Sequence, residues 1–183
     1  RLTFAEDNSS ISYEKVGSNI ATQYSLDVDS GGNTTKKGTL KTSLSSDGSI
    51  IAISETDYYL QKGIVKVFQN VNNNWIQLGD DIEGEAIGDQ SGISISLSND
   101  GSIIAIGANN NDGDEYLSNK GQTRIYKYEN SSWTKVTSDI DGTWPEQQLG
   151  YAVNLNDDGS ALVVGAPQSD LIAANGGQAS GSY

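Results

Sequence analysis

The feature that most constrains this chain is a β-hairpin that its sequence writes three times. The central copy is Ser94-Ile95-Ser96-Leu97-Ser98-Asn99-Asp100-Gly101-Ser102-Ile103-Ile104-Ala105-Ile106-Gly107-Ala108. Ile93, Ile95 and Leu97 alternate with Ser94, Ser96 and Ser98, the period of two that gives a strand one apolar face. Asn99-Asp100-Gly101 supplies the turn, because Gly takes positive φ without steric cost and Asp bonds its own backbone. The return run Ile103–Ile106 is apolar throughout, which predicts a strand covered on both faces and hence an interior hairpin. Ser43–Ile53 precedes it with Asp47-Gly48 at the turn, and Asn154–Pro167 follows with Asp158-Gly159.

The copies keep step. Asp47 to Asp100 is 53 residues and Asp100 to Asp158 is 58. Lys62-Gly63-Ile64-Val65-Lys66-Val67-Phe68 matches Lys120-Gly121-Gln122-Thr123-Arg124-Ile125-Tyr126, and Asn74-Trp75 matches Ser132-Trp133, both at an offset of 58. The difference lies between Asp47–Gly63, 16 residues, and Asp100–Gly121, 21 residues, so the second copy carries five extra residues in one loop. A period of 53–58 holding about four short strands is the pattern of stacked four-stranded sheets, as in propeller blades. The fold class read from the sequence is therefore all-β, with β-propeller-type repeats of four-stranded antiparallel sheets.

The first repeat, 39–91, is predicted to hold strands at Leu40–Leu44, Ile50–Ser54, Ile64–Gln69 and Trp75–Leu78, with an Asn-rich turn at Asn70–Asn74. The second, 92–150, holds Ile93–Leu97, Ile103–Gly107, Gln122–Tyr128 and Trp133–Val136. The third, 151–183, is incomplete, with Tyr151–Leu155 and Ala161–Ala166. Residues 1–38 read as the end of a preceding repeat plus a polar linker over 21–38 expected on the surface. A chain that opens on Arg1 and holds no Met reads as one that has lost a signal or belongs to something longer. Three repeats are too few to close a propeller, so two arrangements are open: further repeats of a longer array, or self-association in a homodimer of six blades.

Chemistry is bounded by what is missing. With no Cys and no His, the chain holds no Cys/His zinc site, no Ser-His-Asp triad and no Cys nucleophile. Against 24 acidic residues stand 11 basic ones, and the net charge of −13 repels nucleic acid and anionic lipid as partners. No run approaches the 18 or so apolar residues of a membrane-inserted span. Of the chain, 35 % is hydrophobic and 21 residues are Gly against two Pro, which suits many short strands with tight turns.

The pattern Leu149-Gly150-Tyr151-Ala152-Val153, an Asp-Gly turn, then Leu162-Val163-Val164-Gly165-Ala166-Pro167 resembles the FG-GAP repeat of the integrin α-subunit β-propeller. The fuller unit, from Trp75 through Leu78-Gly79-Asp80-Asp81-Ile82 and Ser96–Gly101 to Ala105-Ile106-Gly107-Ala108, is similar to FG-GAP-like repeats of large secreted proteins of marine bacteria. The resemblance covers roughly residues 39–183 and implies a secreted or cell-surface location. It also implies calcium in the loop between the first two strands, on oxygen side chains spaced two apart. The third repeat keeps Asn154, Asn156 and Asp158, but Leu162 stands where the last acid belongs. Ser96, Ser98 and Ser43, Ser45 deplete the other two, and a plain hairpin turn is the alternative.

The extra loop of the second repeat, Asn109-Asn110-Asn111-Asp112-Gly113-Asp114-Glu115, is the richer oxygen cluster, with Asn109, Asn111, Asp112, Asp114 and Glu115 as candidate Ca²⁺ ligands. A solvated insertion is the alternative. Trp75 and Trp133 recur at one strand start, which argues for packing between sheets, whereas Trp144 is unshared and is the candidate ligand contact. These features together read as a non-enzymatic extracellular repeat segment for adhesion, binding of a protein or carbohydrate ligand, or filament structure. The alternatives are a propeller glycosidase or lyase working through linker carboxylates such as Glu83, Glu85 and Asp89, and a purely structural spacer.

Overall fold

The computed structural model describes residues 2–4, 11–13, 18–20, 27–28, 34–35, 38–57, 62–112 and 119–167. Among them every regular element is a strand and every sheet pairing is antiparallel. β1 (Leu2–Phe4) pairs with β2 (Ile11–Tyr13), and β3 (Asp27–Val28) pairs with β4 (Thr34–Thr35). The 21–38 linker thus contains a short hairpin of its own.

The first repeat folds as a meander of β5 (Gly38–Leu44), β6 (Ile50–Asp57), β7 (Ile64–Val71) and β8 (Asn74–Gln77), with β9 (Ile82–Glu83) also on β7. The second repeats it with β10 (Ser94–Leu97), β11 (Ile103–Ala108), β12 (Gln122–Glu129) and β13 (Ser132–Lys135), and β14 (Ile140–Asp141) on β12. β15 (Ala152–Leu155) and β16 (Leu162–Gly165) form the third hairpin. All ten strands expected in the three repeats are present, with ends shifted by one to three residues. The linker strands β9 and β14 are additional.

The outer strand of each sheet is broken by a bulge. Phe68 faces Gln77 while Val65 faces Ile82, so the outer strand carries two more residues than β7 over the same stretch. The same offset separates Tyr126–Lys135 from Thr123–Ile140. A side chain clamps each bulge: Gln77 Nε2 donates to Asp81 Oδ1 at 2.7 Å, and Lys135 Nζ holds Asp139 at 2.8 Å.

Local chemistry fixes the turns. The two-residue loops Asn72-Asn73 and Asn130-Ser131 have φ of 51° and 64°, and 52° and 64°, the type I′ geometry whose twist suits a hairpin. In each Asp-Gly loop the Asp carboxylate accepts the backbone N–H two residues on, at 2.9 Å for Asp47, Asp100 and Asp158. The following Gly sits at φ of +71° or +72°.

The sheets stack face to face. Ile50, Ala52, Val65, Val67, Leu78 and Ile82 of the first sheet meet Ile95, Leu97, Ile104, Ile106, Tyr126 and Trp133 of the second. The opposite face of the second sheet meets the third hairpin, where Leu155 and Ala105 are buried. β11 is therefore covered on both sides, as its apolar run requires. Equivalent hydrogen bonds cross both junctions: Leu97 N to Ser43 Oγ at 2.9 Å and Leu155 N to Ser96 Oγ at 3.0 Å. Ser46 N to Asn99 O and Asn99 N to Asp157 O join successive turns at 2.9 and 2.8 Å.

Candidate functional site

Two features gather at the junction of the first and second sheets. One is a cleft of about 240 Å³ lined by Asp80, Asp81, Ile82, Glu83, Tyr126, Ser132 and Trp133. Asp80 and Asp81 of the bulge and Ile82 and Glu83 of β9 form one wall, and Tyr126, Ser132 and Trp133 of β12 and β13 form the other. Trp133 Nε1 donates to Leu78 O at 2.8 Å, which ties the ring to the neighbouring sheet. Its ring lies 5.2 Å from that of Tyr128, tilted by 47°. Gly79 makes room, since a Cβ there would stand 3.0 Å from Trp133 Cδ1. Recurrent Trp133 thus packs between sheets, as its position suggested, and also walls the cleft.

Burial pushes the Tyr126 phenol above its ordinary value, and the Arg124 guanidinium, 5.8 Å over the ring, opposes that shift. Arg124 itself is buried and donates to Glu83 O at 3.1 Å and Ser91 Oγ at 2.9 Å. Asp81 also stands 3.7 Å from Lys66 Nζ. Asp80 and Glu83 are exposed.

The second feature is a carboxylate–amide network. Asn111 Nδ2 donates to Asp89 Oδ2 at 3.1 Å and to Glu85 Oε2 at 3.5 Å, and Gln122 Nε2 reaches Glu85 Oε2 at 3.2 Å and Asp141 Oδ1 at 3.1 Å. Burial raises the Asp89 carboxyl above its usual range. Hydrogen bonds from Ala86 N and Asn111 oppose this, while the Glu85 and Asp112 charges add to it. Asp89 is buried.

Of the candidate metal loop, Asn109 and Asn111 are buried and Asp112 is half-buried, its Oδ1 accepting Asn119 N at 2.8 Å; Asp114 and Glu115 lie outside the described residues. Among the described residues Asn109 Oδ1 and Gln122 Oε1 are buried oxygens with no hydrogen-bond partner. Among the described residues no three carboxylates converge as a metal centre.

In the third hairpin, Asn156 Oδ1 accepts Ala161 N at 2.8 Å and Asp158 Oδ1 accepts Ser160 N at 2.9 Å, so both side chains close the turn. Asn154 is exposed on β15. Trp144 is 55 % exposed, in a turn held by Gln147 Oε1, which accepts Thr143 N at 2.6 Å and Trp144 N at 3.2 Å. It does not join the cleft.

Sequence reasoning named Glu83, Glu85 and Asp89 as linker carboxylates that a glycosidase or lyase could use, and missed the cleft. The available signal was the recurrence of a Trp before an acidic linker, Trp75 before Asp80-Asp81-Ile82-Glu83 and Trp133 before Asp139-Ile140-Asp141. No family model matches this chain, and no curated protein matches it.

Proposed function

We propose that this chain is a non-enzymatic repeat segment of a β-propeller of the FG-GAP kind, displayed outside the cell, whose inter-sheet cleft binds the basic side chains of a protein ligand. The cleft carries the reading. Asp80, Asp81 and Glu83 line a cleft of about 240 Å³ together with Tyr126 and Trp133, and acidic residues beside aromatic rings suit an ammonium or guanidinium group. The net charge of −13 steers cations towards it. Trp144 supplies a further contact outside the cleft. Calcium belongs to this reading as a structural cation of the loop that begins at Asn109, whose Oδ1 is a hard oxygen without a donor among the described residues.

Calorimetric titration with a tetralysine peptide tests the proposal. Binding weakens with salt, and the variant Asp80→Asn, Asp81→Asn, Glu83→Gln binds at least about tenfold more weakly, the loss of one or two charge-assisted contacts. Equal binding by the two proteins, or binding of a neutral oligosaccharide in place of the peptide, overturns it.

A further inference from the structure

The linker of the first repeat meets the second sheet with oxygens. Glu85 and Asp89 come from that linker, Asn109 and Asn111 from the loop after β11, Gln122 from the start of β12, and Asp141 from β14 beside it. Asn110 N donates to Asp89 O at 3.2 Å, so the backbone also ties linker to loop. Asp89 is 4 % exposed, while Glu85 and Asp141 are open to solvent, so the cluster runs from the surface into the junction.

Charge in this cluster is one-sided. Among the described residues Glu85 Oε2 receives only the amides of Gln122 at 3.2 Å and Asn111 at 3.5 Å, and Asp89 Oδ2 receives Ala86 N at 2.9 Å and Asn111 Nδ2 at 3.1 Å. All of these donors are uncharged, and the 3.5 Å contact is too long for a strong hydrogen bond. Two buried oxygens are left over beside them. Asn109 and Gln122 are 5 % and 4 % exposed, and Asn109 Oδ1 and Gln122 Oε1 have no partner among the described residues. Gln122 Nε2 spans Glu85 Oε2 and Asp141 Oδ1 at 3.2 and 3.1 Å, which sets Oε1, on the same carbon, within the cluster. A bare buried acceptor is costly, and bare oxygens beside carboxylates call for a cation. Carboxylate and amide oxygens are the hard ligands that Ca²⁺ takes.

From these unmet oxygens and the uncharged surroundings of the two carboxylates we infer that a calcium ion bridges the first and second repeats, held by Glu85, Asp89, Asn109 Oδ1 and Gln122 Oε1. The inference rests on the calcium reading above and goes beyond it by taking two ligands from the other repeat's linker, so that the ion staples one sheet to the next. It sets the ion away from the Asp-Gly hairpins, where Asn156 and Asp158 use their oxygens on their own turn.

Titration with calcium chloride, followed by calorimetry and by amide resonances, is the test. The resonances of Glu85, Asp89, Asn109 and Gln122 shift, and those of 154–160 stay. Glu85→Gln and Asp89→Asn each raise the dissociation constant at least about tenfold, because each removes a charged ligand, whereas Asp158→Asn leaves it unchanged. Glu85 is exposed, and Asn at 89 keeps an acceptor for Ala86 N, so circular dichroism of both variants matches the parent. A chain that binds no calcium overturns this inference together with the calcium reading. Binding that is lost in Asn109→Ala but kept in both linker variants overturns the inference alone and leaves the ion on its loop. Shifts confined to 154–160 overturn it as well.

Discussion

Replacing the turn glycine by alanine in each of the three hairpins separates the cost of backbone conformation from the cost of contact between repeats. Gly48, Gly101 and Gly159 have φ of 72°, 71° and 71°, so a Cβ brings the same left-handed penalty to each, about 1–2 kcal/mol. Their surroundings differ. At Gly48 the nearest atom to the new methyl is Leu44 Cδ2 at 4.0 Å, which is open space. At Gly101 the methyl would stand 2.7, 2.8 and 2.9 Å from Cδ1, Cβ and Cγ2 of Ile50 in the preceding sheet. Two of those atoms belong to the branched base of Ile50, which cannot swing aside, so overpacking adds roughly 1–3 kcal/mol. Gly159 is intermediate, at 2.7, 3.1 and 3.3 Å from the matching atoms of Ile103. Urea unfolding followed by circular dichroism therefore ranks Gly48→Ala as mildest, Gly159→Ala next and Gly101→Ala as most costly. In a double-mutant cycle, Ile50→Ala removes the Cδ1 and Cγ2 contacts and lowers the cost of Gly101→Ala, and Ile50→Gly, which removes the Cβ as well, brings it to that of Gly48→Ala. Equal costs at the three sites, or no coupling to Ile50, would refute face-to-face contact at these turns.

Trp133→Phe keeps the aromatic packing but removes the bond to Leu78 O, and lowers unfolding free energy by about 1 kcal/mol in the same assay. Asp100→Ala removes the acceptor of Ser102 N, Ser98 Oγ and Ser102 Oγ, bonds that hold the Asp100 carboxyl below its usual range. A depressed native value means that the contribution is complete above the unfolded value of about 3.9 and is lost as pH falls through the native one, so parent and variant converge in strong acid. Asp89 has the opposite sign: its raised native value costs stability as pH rises from about 3.9 through that value, and Asp89→Asn removes this loss, as a pH series of melts will show. On the proposed calcium reading, 10 mM Ca²⁺ stabilises the chain by about 1.4 kcal/mol for a dissociation constant near 1 mM, and Asn109→Ala abolishes the shift in melting temperature. A parent chain that melts at the same temperature with and without calcium refutes that reading.

The strands were legible because period-two alternation, Asp-Gly turns and a register of 53 and 58 residues all place the same residues on the same sheets. The recurrence of Trp133 similarly revealed its packing role. β9 and β14 were not legible, since each is two residues long with one Ile beside an acid, too short for any period to show. The network around Asn111 was hidden for another reason. Its partners Glu85 and Asp89 lie 26 and 22 residues away in another repeat's linker, and local sequence carries no sign of that approach. Asn109 and Asn111 read from composition as calcium ligands or, in the alternative, as part of a solvated insertion; both are buried, and Asn111 bonds that linker.

Residue-resolved amide exchange tests the stacking of the sheets most directly. The N–H groups of Ser46, Leu97, Asn99 and Leu155 bond across a junction, to a neighbouring repeat. If the sheets stack as described, these four exchange slowly, at rates close to those of β11. Exchange of all four at unstructured rates, while the strand amides of β6 and β11 remain protected, would mean that the sheets form without stacking and would contradict the account.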